Sequence, residues 1–168
     1  GRSLVLSGSC SDATLRQVAN FSKNNPSFKL DPVELNSRPA IIEEAIEWAN
    51  HRMGQGPVLI YASAASREVK SIQEKIGSKR AGSLIESAMG SIAKALVDSG
   101  VRRLVVAGGE TAGAVVGALG ISSLQIGEQI DPGVPGTVTV EYPKIALALK
   151  SGNFGEVDFF QKALDTMP

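Results

Sequence analysis

Short runs of branched and aliphatic residues recur along this chain, separated by longer amphipathic stretches. They are LVLSG at Leu4–Gly8, PVLIYAS from Pro57, VRRLVVAGG from Val101 and IALALK ending at Lys150. Each run suits a strand buried on both faces, and the intervening stretches have helical spacing. A sequence that alternates in this way must cover a mostly parallel sheet with helices on both sides. The expected fold is therefore α/β, a three-layer α/β/α sandwich in one domain across residues 1–168.

The elements between the runs follow from local chemistry. Asp12–Ser22 carries Leu15, Val18, Ala19 and Phe21 near helical spacing, with Ser11 or Asp12 to cap it. FKLDPVEL (Phe28–Leu35) reads as a short extended piece broken by Pro32. Arg38–Met53 reads as a helix with Pro39 in its first turn. A long helix is predicted from Lys79 to Ser99, stopped by Gly100. TAGAVVGALG reads as a small-residue helix. ISSLQIGEQIDPGVPGTVTVE reads as two strands about a turn built on Asp131, Pro132, Gly133 and Pro135, and VDFFQKAL as a closing helix.

Three of the strands end alike, in LVLSGSCS, LVVAGGETAG and LALKSGN. In an open parallel sheet the carboxyl ends share one edge, where ligands bind. YASAAS, after the strand Val58–Tyr61, supplies a fourth wall. Glycine lets backbone N–H groups approach an anion, serine adds hydroxyl donors, and a helix starting in GGETAG aims its free N–H groups into the crevice. Gly108 and Gly109 are thus ligand candidates. Gly113 and Gly117, four residues apart on one helix face, read as contacts for close helix–sheet packing. Glu110 would repel a phosphate unless it faces a metal-bound water or a ribose hydroxyl. Neither the P-loop pattern nor the dinucleotide fingerprint occurs. Lys150, at a strand end before Ser151, Gly152 and Asn153, is either a cation reaching the crevice or a solvated lysine beside a turn.

Other residues carry less. His51 has no ligand partners at metal-binding spacing and reads as a surface residue at a helix end. Cys10 lacks a histidine constellation, and Glu43, Glu44 and Glu47 form a solvated face. Lys79 and Arg80 sit where a helix dipole disfavours cations, which suggests a phosphate or partner contact. The chain has 17 basic and 17 acidic residues, so no field draws it to nucleic acid or an anionic membrane. A single cysteine precludes an internal disulfide, and no apolar run spans a bilayer. A cytosolic setting is expected. The abrupt start at GRSLVLSG suggests a piece of a longer protein.

SGSCSDAT, VVAGGETAGAVVGALG, and IDPGVPG followed by LALKSGNFGEVDFF resemble, in order and spacing, the carboxyl-terminal nucleotide-binding domain of the four-carbon acid sugar kinases, which include 3-oxo-tetronate and threonate kinases. The resemblance covers nearly the whole chain. It implies an ATP-dependent kinase of two domains that acts with Mg²⁺ on the terminal hydroxyl of a four-carbon sugar acid. The amino-terminal domain would hold the acceptor, and this chain alone would be inactive. The resemblance further implies that ATP is contacted by Ser7 or Ser9, by Gly109, Glu110, Thr111 and Ala112 with Gly108 beside them, and by Gly152. IDPGVPG is a candidate wall of the adenine pocket. The catalytic base, the particular acid and the oligomeric state stay open, a homo-oligomer included. Two other readings stand beside this one: a non-catalytic module that binds a nucleotide or small anion, and an aldolase or isomerase using Lys150 as a Schiff base.

Overall fold

Alternate residues of the apolar runs face opposite sides of one sheet, and both sides are covered. The computed structural model describes residues 1–168. Its strands are β1 (Arg2–Ser7), β2 (Ser27–Lys29), β3 (Val58–Tyr61), β4 (Val101–Ala107), β5 (Leu124–Asp131), β6 (Val134–Thr139) and β7 (Ala146–Lys150). They lie in the order β2-β3-β1-β4-β7-β6-β5. The first five in that order are parallel, and β6 runs antiparallel to both neighbours.

Leu4, Leu6, Leu104, Val106 and Leu147 point to one side, where α2 (Pro32–Ser37), α3 (Ile41–Arg52), α5 (Ser78–Asp98) and α6 (Gly109–Ala118) bury their apolar faces. Val5, Val105, Ala107, Ala146 and Ala148 point to the other, where α1 (Asp12–Ser22) and α7 (Phe159–Thr166) contribute Val18, Phe21, Phe159 and Phe160. This is the expected three-layer domain. The parity of β7 places Lys150 with Ala146 and Ala148 on the α1 side.

Several local expectations change. Pro32 does not break an extended piece; it opens α2, where its missing N–H costs nothing, and Asp31 Oδ1 caps that helix by accepting from Val33 N at 2.9 Å. The helix expected from Arg38 begins at Ile41, so Pro39 precedes it. The long helix is preceded by another, α4 (Ser66–Ile76), from which it is separated by Gly77 at φ +86°. Gly113 and Gly117 do not serve packing, because a Cβ at either would meet nothing within 4 Å. The glycine that admits close approach is Gly90 of α5, where a Cβ would lie 3.1 Å from Ala118 Cβ and 3.3 Å from Ala114 O.

Candidate functional site

The crossovers after β1 and β4 leave for opposite faces of the sheet, α1 to one and α6 to the other. The gap between these neighbouring strand ends is where an open α/β sheet binds ligands. A cavity of about 380 Å³ lies there. Its sheet-edge wall is Gly8, Ser9 and Cys10 after β1, Gly108 to Thr111 opening α6, and Gly152 after β7. Ala62 and Ala64 after β3 add the fourth wall. Across from them stand Val69 and Ile72 of α4 and Ala81 and Ile85 of α5.

The glycines of this edge are held by contacts. Gly108 N donates to Lys150 O at 2.8 Å, and Gly8 N to Ala107 O at 2.9 Å, so the three turns are tied to one another. Gly108 has φ +120°, and a Cβ there would lie 3.0 Å from Ser9 N. A Cβ at Gly8 would overlap Thr111 Oγ1. Gly108 requires glycine by its backbone conformation, and a side chain at Gly8 must displace Thr111. Gly109 differs, since a Cβ there would meet no protein atom within 4 Å. Ala112 N makes a 2.8 Å bond back to Gly108 O, and no side chain caps α6. The N–H groups of its first turn therefore remain for a ligand.

Not every candidate reaches the cavity. Ser9, Gly108, Gly109, Glu110, Thr111 and Gly152 line it. Ser7 does not: it is fully buried, with its Oγ 2.7 Å from Ser63 Oγ. Ala112 lies just inside the helix and is also off the lining. The IDPGVPG turn does not line the cavity either. Gly133 packs against the Phe154 ring, and Asp131 Oδ2 accepts from Glu156 N at 3.0 Å, so this turn buttresses the loop after β7. Lys79 and Arg80 are off the lining as well; Arg80 Nε donates to Asn36 Oδ1 of α2 at 2.9 Å, a structural tie. His51 is an exposed residue bonded to Glu47 O.

Lys150 is neither a solvated lysine nor a residue of the cavity lining. Its side chain is 1% exposed, and its ammonium donates to Thr14 Oγ1 at 2.9 Å and to Gly152 O at 2.8 Å. Burial pushes its pKa down to about 8. An amine enclosed in this way has no open approach for a carbonyl substrate, which removes support for the Schiff-base reading. Around it α1 turns a neutral polar stripe toward the loop after β7. Ser11 Oγ donates to Gly152 O at 2.8 Å, and Gln17 Nε2 donates to the carbonyls of Phe154, Gly155 and Glu156 at 3.2, 3.0 and 2.9 Å. Ser11 is the expected cap of α1, accepting from Thr14 N, but its tie to the loop after β7 and those of Thr14 and Gln17 were not foreseen. Their three-residue spacing on a helix otherwise facing the core was the available signal.

Residues 4–160 match the family described as the nucleotide-binding C-terminal domain. The chain belongs to this family. Its similarity to individual members is high: a 3-oxo-tetronate kinase of Pseudomonas fluorescens is 54% identical over 165 residues, which are 98% of this chain and 38% of that protein. A 3-oxo-tetronate kinase of Burkholderia multivorans is 51% identical over 164 residues, again 98% of this chain and 38% of that protein. The crystal structure of a Haemophilus influenzae protein superposes with a TM-score of 0.95 at 38% identity, covering 99% of this chain and 40% of that one. The chain thus spans about two fifths of the length of the curated relatives it matches. Both of these curated relatives are named 3-oxo-tetronate kinase.

Proposed function

We propose that this chain is the ATP-binding domain of a kinase that phosphorylates the terminal hydroxyl of a four-carbon sugar acid, of the 3-oxo-tetronate or threonate type. It would form the carboxyl-terminal half of a two-domain cytoplasmic protein whose amino-terminal part holds the acceptor. The observation that carries this reading is the convergence of Ser9, Gly108 to Thr111 and Gly152 on one cavity at the uncapped start of α6. Phosphoryl transfer depends mainly on positioning and charge compensation, and free N–H groups fixed at a sheet edge supply both without rearranging.

Mg²⁺ fits this arrangement as an ion carried by the nucleotide. No group of three or more His, Cys, Asp or Glu side chains is gathered to hold a metal. Phosphate oxygens would be its main ligands, with Glu110 and Glu86 the cavity carboxylates available to its water shell. When bound, it neutralises charge on the transferring group. The chain's own residues hold and orient the phosphates, and the neighbouring domain supplies the nucleophile and excludes water on closure.

The test is ADP release by the longer protein containing this chain, given ATP, Mg²⁺ and four-carbon sugar acids. Acid-dependent turnover that Gly109→Val abolishes is expected. Nucleotide binding without turnover on any such acid would overturn the kinase reading and leave a binding module.

A further inference from the structure

Lys150 is a buried cation without an anion. It is in no ion pair, and its two partners are uncharged oxygens. The charged groups on the elements around it do not compensate it. Asp12 and Arg16 of α1, Glu110 of α6, and Glu156 and Asp158 after β7 are exposed, while Asp131 is engaged by Lys162. Enclosing an uncompensated charge is costly, and proteins keep such groups where a ligand completes the pair.

Both paths from this ammonium lead to the cavity. Gly152, whose carbonyl accepts from Nζ, lines it. The second path runs through hydroxyls: Thr14 Oγ1 accepts from Lys150, and its own O–H is 3.1 Å from Ser9 Oγ, which also lines the cavity. An ammonium only donates, which fixes the direction of this chain. Ser9 Oγ also accepts from Ser11 N at 3.3 Å, so its lone pairs are occupied and its proton must point onward. That proton now meets Ser11 Oγ at 3.2 Å. Ser11 Oγ keeps its bond from Thr14 N at 3.2 Å and its own donation to Gly152 O at 2.8 Å without it, so the Ser9 hydroxyl can turn to an anion while Thr14 still donates to Ser9.

We propose that Lys150 is the buried counter-charge of the phosphate site, a positioning residue that polarises Ser9 through Thr14 and takes up a proton from solution when nucleotide binds. This rests on the nucleotide reading above. The proton moves from buffer to Lys150 Nζ, and no bond to the ligand forms. Because burial holds the free group near 8, an incoming phosphate restores the charged form at a pH where half of it is lost.

The experiment is calorimetric titration of the chain with ADP at pH 8, in buffers of different ionisation enthalpy, and at pH 7 and 9. ADP has lost its last phosphate proton at this pH, the relevant phosphate pKa being about 6. Wild type should take up about half a proton per ADP at pH 8 and lose about tenfold in affinity from pH 7 to 9. Lys150→Met and Lys150→Arg should both bind without proton uptake, Arg with the higher affinity because it keeps the charge. Wild-type binding with no uptake and no pH dependence overturns the proposal, as does wild-type uptake surviving in either variant. Absence of ADP binding at every pH overturns the nucleotide reading itself, and the proposal with it.

Discussion

Lys150 at the end of β7 donates a 2.9 Å hydrogen bond to Thr14 of α1, a residue 136 positions earlier in the chain. The contact joins the turn after β1 to the loop after β7, and its cost is written in the ammonium's pKa of about 8. Between that value and the ordinary 10.5, the unfolded chain holds the proton and the folded chain does not. Raising the pH through this window therefore favours the fold, while below it the folded state carries the full cost of burial. Wild-type stability relative to Lys150→Met should rise by up to about 3 kcal/mol between pH 8 and 10.5. Denaturant unfolding of both proteins across that range measures it, and a constant difference would mean that the ammonium is not desolvated.

Thr111 fills the space beside Gly8. Gly8→Ala should cost about 1 to 3 kcal/mol and weaken nucleotide binding, because its methyl group must displace Thr111 from the start of α6. Thr111→Ala in the same chain should recover most of the lost stability, an interaction visible in a double-mutant cycle of thermal melts.

The glycines of α5 and α6 should respond in opposite ways. Gly113 faces open space, so Gly113→Ala should stabilise α6 by about 0.5 to 1 kcal/mol through helix propensity alone. Gly90→Val would push branched carbons into Ala114 and Ala118 and should cost about 1 to 3 kcal/mol. Thermal melts of the two variants check the pair.

Asp131 is 3% exposed and accepts from Glu156 N and Lys162 Nζ. Burial is the largest influence on its carboxyl and raises the pKa, but the bonds from Lys162 and Glu156 together outweigh it and hold the value below the usual range. The stabilisation is present above the unfolded carboxylate pKa and is lost as pH falls through the lower folded value. Asp131→Asn should cost about 1 to 3 kcal/mol at neutral pH and remove this part of the acid sensitivity, read from unfolding at pH 7 and pH 3.

The edge that forms the site was legible because β1, β4 and β7 each pass from an apolar run into Gly and Ser, and sheet geometry aligns such ends. The helix α4 was not legible, since Val69, Ile72 and Ile76 are few among the polar residues of SREVKSIQEKI and none of its residues is fully buried. Pro32 misled because a proline that interrupts a strand and one that opens a helix look alike locally; Asp31 beside it was the deciding signal. Burial of Lys150 depends on α1, far off in sequence, although the parity of Ala146, Ala148 and Lys150 already assigned it to a covered face. The spacing of Gly113 and Gly117 placed them on one face without saying which face meets the sheet.

If the uncapped start of α6 receives nucleotide phosphates, Gly109 lies where they meet the backbone. A Cβ there would meet no protein atom within 4 Å, so Gly109→Val leaves the fold in place while its branched side chain stands where a phosphate would approach the backbone. The measurement is an ADP titration of wild type and Gly109→Val, with the alkylation rate of Cys10, an exposed thiol on the same cavity wall, as a second readout. Wild type should bind ADP saturably, with Cys10 alkylation slowed, and Gly109→Val should lose both effects at an unchanged melting temperature. Equal ADP binding by the two proteins, or none by either, would contradict phosphate binding at the start of α6.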